Sequence, residues 1–139
     1  MVCECDLLRA SILAAAGRLK TAEALAASTA EVARAAGALR SQARALLLAA
    51  ECQTRLGKEA PELAMAEALI RKRRWVALKW RVSYLRALSE PDVRRGRSFR
   101  KMFREILESR LLTSTALGRA SFLDDKQEAL RSYVEWIIR

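Results

Sequence analysis

The sequence predicts an all-α fold of stacked antiparallel helical hairpins with a C-terminal closing helix. Gly17, Gly37 and Gly57 stand twenty residues apart, and glycine readily takes the left-handed backbone conformation that ends a helix. The segments between them are almost entirely Ala, Leu, Glu and Arg, which are good helix formers. Aromatic residues make up only 6% of the chain, and the abundant Ala suits helices packed closely through small side chains.

A first helix is expected over Asp6 to Ala16, with Gly17, Arg18 and Leu19 turning the chain. Thr21 is placed to cap a second helix running to Ala36, with Glu23 in its first turn, where a negative charge favours the helix dipole. Gly37 ends that helix. A third runs from about Leu39 to Leu56, with Ala43, Leu46, Leu47, Ala50 and Thr54 along one side. Gly57 stops it, and Pro61 suits the first turn of a fourth helix ending at Ile70.

The basic run from Arg71 to Arg74 reads as the next turn. Trp75 to Leu88 forms a fifth helix that is apolar on two faces: Trp75, Leu78, Val82 and Leu85 on one, Val76, Trp80 and Ala87 on the other. Such a helix belongs between neighbours, in the middle of a stack. Ser89 to Asp92 carries turn chemistry. The sixth helix then runs to about Leu112, with Phe99, Met102, Phe103, Ile106 and Leu107 inward and Arg94, Arg97, Lys101 and Arg104 outward. A short helical piece is expected over Ser114 to Leu123. Asp125 and Glu128 form a capping box for a final helix bearing Leu130, Tyr133, Val134, Trp136, Ile137 and Ile138. Residues 1–112 thus form a hairpin array, about three hairpins in a right-handed stack, and 113–139 close the same domain.

With 52% apolar and 30% charged residues, wholesale disorder is excluded. No apolar run is long enough to span a bilayer, so no membrane association is expected. Leu7 to Ala16 imitates a signal-peptide core, but Glu4 and Asp6 precede it where basic residues are required. Three cysteines are an odd number. Cys3 and Cys5 lie too close for an unstrained bridge and Cys52 is in mid-helix, which points to a reducing cytoplasm.

The chain has no histidine. That removes Ser-His-Asp and Cys-His catalysis from within it, and the commonest zinc ligand as well. Cys3 and Cys5 offer two thiolates, yet two further ligands would be needed for a zinc site. Glu105 and Glu108 read as surface partners of Arg104 and Arg110, and Cys52 as a small core residue. No glycine-rich phosphate loop occurs. The expectation is a chain with no catalytic, metal or cofactor site, and not an enzyme.

The segment from Gly17 to Ala22 resembles the turn within a tetratricopeptide repeat, where a glycine is followed five residues later by a small residue. Gly57 resembles the same turn one repeat on, with Ala50 seven residues upstream at the small position of the first helix. The forty-residue spacing is longer than that family's usual thirty-four. The aromatic expected before the turn is replaced by Leu13 and Gln53, and an insertion containing Pro61 displaces the small residue after Gly57. The match covers roughly residues 6–90, and implies an α-solenoid fragment that serves as a scaffold. A second resemblance, over Arg119 to Leu123 with Leu130, Tyr133 and Val134, is to the segment ending the repeat arrays of bacterial CHAT proteins, in which a caspase-like protease domain follows. It implies a regulatory array.

The formal net charge of +10 is unevenly spread. Residues 71–104 hold thirteen Lys or Arg against two acids, and the remainder is nearly neutral. Clustered charge of this kind attracts polyanions and acidic protein surfaces. Arg71, Lys72, Arg73, Arg74, Arg94, Arg95, Arg97 and Lys101 are therefore the candidate partner-binding residues, while Gly17, Gly37 and Gly57 have structural roles. Three readings stay open for the patch: a solvated face, a dock for an acidic protein or adjoining domain, or a nucleic-acid surface. Trp75 and Trp80 could stack on bases, but their helical spacing beside Leu78 and Val82 reads as core.

The leading expectation is a protein-interaction scaffold, with a basic nucleic-acid-binding protein as the alternative. Both ends look like cuts through a longer architecture, and their apolar surfaces offer a route to self-association.

Overall fold

In the computed structural model, residues 2–111 and 126–138 are described. They form seven helices: α1 (Val2–Ala15), α2 (Leu19–Ala35), α3 (Leu39–Arg55), α4 (Pro61–Arg73), α5 (Val76–Ser89), α6 (Asp92–Leu111) and α7 (Gln127–Ile137). The fold is all-α, with no strand among the described residues. The chain divides into two compact units, residues 1–74 and 75–139.

In the first unit α1 packs on α2, α2 on α3 and α3 on α4, and α1 also meets α3. Small side chains make this approach close. Ala22, Ala26, Ala30 and Ala33 form a buried stripe along α2, and Ala43, Leu46, Leu47 and Ala50 are buried on α3. The antiparallel sense is shown by Glu23, near the start of α2. Its carboxylate accepts from Gln53 Nε2 near the end of α3 (3.2 Å) and from Lys58 Nζ just beyond it (3.3 Å).

The three glycines turn the chain as their spacing predicts, with φ of 83°, 72° and 74°. Each turn closes identically. The glycine N–H donates to the carbonyl three residues back, and the next N–H donates to the carbonyl five back: Arg18 to Leu13, Ala38 to Ala33, Lys58 to Gln53, each 2.9 Å. This is a Schellman closure, which satisfies carbonyls left over at a helix end.

Thr21 does not cap α2. The helix is already under way at Leu19, where Ala22 N–H donates to the Arg18 carbonyl (3.0 Å), and no side chain caps it. The N-cap position is held by Arg18, whose guanidinium has no acceptor to offer a backbone N–H. The basic run is also mostly helical rather than a turn: α4 continues through Arg73, and only Arg74 is left-handed, with φ 56°. Lys and Arg are good helix formers and suit the negative end of the helix dipole.

In the second unit α5 packs on α6 and α6 on α7. Leu78, Val82 and Leu85 are buried on one face of α5, Trp80 and Ala87 on the other. Trp75, expected in the core, precedes the helix and is half-exposed. Arg95 holds the α5–α6 turn: Nε and Nη2 donate to the Glu90 carbonyl (3.3 and 3.0 Å), and Nη1 pairs with Asp92 (3.1 Å). Ser98 donates to the Glu90 carboxylate (2.8 Å).

Glu105 is not a surface partner of Arg104. It is half-buried and accepts from the Ser83 hydroxyl of α5. The helical piece expected over 114–123 and the Asp125 half of the capping box lie outside the described residues.

Candidate functional site

The site is built on the flank of α6 beside α7. These helices are antiparallel: Tyr133 stacks on Phe99 (centroids 5.4 Å, 21° between planes) and tilts against Phe103 (6.1 Å), while Trp136 meets Phe99 (6.0 Å) one turn further along. The pairing is possible because Gly96 has no side chain. An added Cβ would stand 2.9 Å from Trp136 Cζ2 and closer still to Cη2.

Phe99, Met102 and Ile106 point into the core as expected. Phe103 and Leu107, expected inward with them, are instead 41% and 44% exposed. Helix α7 seals Gly96 and Phe99 but reaches only the edge of Phe103, so the apolar stripe of α6 is wider than what covers it.

Along this edge lies an open groove of about 500 Å³, lined by Arg97, Arg100, Phe103, Arg104 and Tyr133. The three arginines recur at intervals of three and four residues, and so form a row rising about 10 Å along the helix. None of them has a hydrogen bond or ion pair to another described residue. For Arg97 and Arg100 the cause is visible in the sequence, since no acid stands three or four residues away on either side. Arg104 has Glu108 one turn on without pairing to it. The row and the exposed edge of Phe103 and Leu107 together present fork-shaped donors beside apolar surface. That suits carboxylate or phosphate recognition.

Arg97 was foreseen as a binding residue, and it lines the groove. Arg94 and Lys101 are exposed on α6 outside the groove lining. Arg95 is engaged at its turn. In the first unit, Arg71 pairs with Glu67 (3.0 Å), while Lys72, Arg73 and Arg74 are exposed. Arg100 and Arg104 belong to the basic patch over residues 71–104 but are not among the residues singled out from the sequence, and Phe103 and Tyr133 are given no binding role there. The unpaired register of Arg97 and Arg100 was a legible signal for the row. The exposure of Phe103 depends on the reach of α7, which no local pattern reveals.

Trp80 is buried, and Lys126 Nζ lies 5.4 Å from its ring centroid. It offers no face to a base. Cys52 is fully buried, and burial pushes its thiol above the ordinary value, with Glu51 and Glu23 adding to the rise and Arg55 opposing it. The described residues contain no group of three or more potential metal ligands, and no described helix is long and apolar enough to cross a membrane.

No known protein family, characterised protein or solved structure matches this chain.

Proposed function

We propose that this protein is a non-enzymatic interaction module: a helical scaffold, tetratricopeptide-like in its hairpins, that docks an acidic surface on a partner protein or an adjoining signalling domain. The observation that carries the reading is the row Arg97, Arg100 and Arg104, exposed and unpaired among the described residues at the edge of a groove. Arginine with no acceptor among the described residues keeps its capacity to bind an external anion. Three unpaired cysteines fit a reducing cytoplasm.

The experiment is affinity capture of the full chain from its native cells at low and high salt, with and without nuclease, beside the triple variant Arg97→Glu, Arg100→Glu, Arg104→Glu. The reading expects acidic proteins that are retained after nuclease, shed at high salt and lost with the variant. Capture that disappears with nuclease would replace it with the nucleic-acid alternative. Retention by the triple variant would remove the arginine row from the function.

A further inference from the structure

The chemistry of the groove is more specific than its charge. Phe103 and Leu107 lie one turn apart on α6, and both are substantially exposed. On α7, Tyr133 lines the groove, and Ile137, one turn further along, is exposed as well. Arginines and apolar side chains therefore run side by side rather than mixed.

We infer that the groove takes an amphipathic helix of a partner protein, with carboxylates along one edge and aliphatic side chains along the adjoining one. This rests on the docking function proposed above and names its occupant. The carboxylates face Arg97, Arg100 and Arg104, and the aliphatic edge covers Phe103 and Leu107. A helical occupant follows from the register. Acids spaced by three and four residues on a second helix rise about 5 Å per turn, the same rise as the arginine row. An extended strand repeats same-face residues about every 6.6–6.8 Å and drifts out of step over three contacts.

The aromatic geometry favours protein over nucleic acid. Tyr133 is stacked on Phe99 and tilted against Phe103, so the rings are already engaged with each other. The neighbouring exposed surface, Leu107 and Ile137, is aliphatic, whereas single-stranded nucleic acid is held by bases stacked on open aromatic faces. Aliphatic surface is what an amphipathic helix covers.

The test is fluorescence anisotropy with the full chain and a labelled, alanine-rich helical peptide of about twenty residues, beyond the length at which isolated helices are marginal. It carries Glu along one edge and Leu along the next. Its controls are a peptide with the same residues scrambled and an oligothymidylate. The patterned peptide is expected to bind at least about tenfold more tightly than the scrambled one, because one hydrogen bond to a charged group is worth about that factor or more. The triple variant Arg97→Glu, Arg100→Glu, Arg104→Glu should lose binding. Leu107→Ser, on the exposed edge, should weaken it several-fold with an unchanged circular-dichroism spectrum. Arg18→Glu with Lys20→Glu, exposed at the start of α2, should leave it intact.

Equal binding of the scrambled peptide, preference for the oligothymidylate, or no binding of any probe would each overturn the inference. If the peptide fails while nuclease-resistant capture still depends on the arginine row, the docking function stands and only its helical occupant falls.

Discussion

The indole of Trp136 occupies the space where a side chain on Gly96 would stand. Glycine inside an exposed helix costs about 1 kcal/mol relative to alanine, and α6 accepts that cost because α7 docks through the gap. Gly96→Ala should therefore destabilise the second unit despite its better helix propensity. Overpacking typically costs about 1–3 kcal/mol. Pairing it with Trp136→Leu should recover part of the loss, and urea unfolding of both variants checks this.

The glycine turns make the opposite case. A Cβ at Gly37 would meet nothing within 4 Å, yet φ is 72°. Gly37→Ala should cost about 1–2 kcal/mol through backbone strain alone, and Gly37→Asn distinctly less, because Asn visits this region more readily. Arg74, left-handed at φ 56° without being glycine, predicts the converse. Arg74→Gly should raise the midpoint of thermal unfolding of the full chain.

Glu23 holds the amide of Gln53, whose Oε1 is buried without a partner among the described residues. Glu23→Ala strands the buried amide nitrogen too, and should cost about 1–3 kcal/mol. With Gln53→Leu added, nothing polar is left unsatisfied there. The double variant should be more stable than Glu23→Ala alone, as a denaturation cycle would show.

Cys52 should resist alkylation at mildly alkaline pH while Cys5, which is exposed, reacts. The cause is burial, which raises the Cys52 thiol above its ordinary value of 9.0 and keeps the thiolate scarce. The sign for stability follows. The unfolded chain loses this proton first, so the contribution is fully present below pH 9, declines as pH rises from there toward the higher folded value, and is lost once pH passes through it. Mass mapping after iodoacetamide treatment, native and unfolded, is the measurement.

Helix positions were legible because they depend on short-range signals. Gly17, Gly37, Gly57 and Pro61 punctuate the chain where the turns and α4 occur, and the bounds expected for α3, α5 and α6 hold within a residue or two. Thr21 misled because α2 starts two residues earlier, and the N-cap position falls to Arg18, which has no acceptor. Arg71 to Arg73 misled because charge was read as a break, although these residues extend helices. The groove was half legible. Unpaired arginines can be found by counting acids three and four places away. The exposure of Phe103 and the burial of Glu105 against Ser83 depend on neighbours far along the chain.

Each turn at Gly17, Gly37 and Gly57 is closed by its own backbone, with open space where a side chain would stand. Such a corner does not depend on what surrounds it. A twenty-residue segment can therefore be duplicated or deleted without any corner being redesigned. Only the buried stripes, such as Ala22 to Ala33 on α2 and Ala43 to Ala50 on α3, must be rematched to their neighbours. The length of such an array is thus set by its faces, and its corners leave it free to change by whole helices.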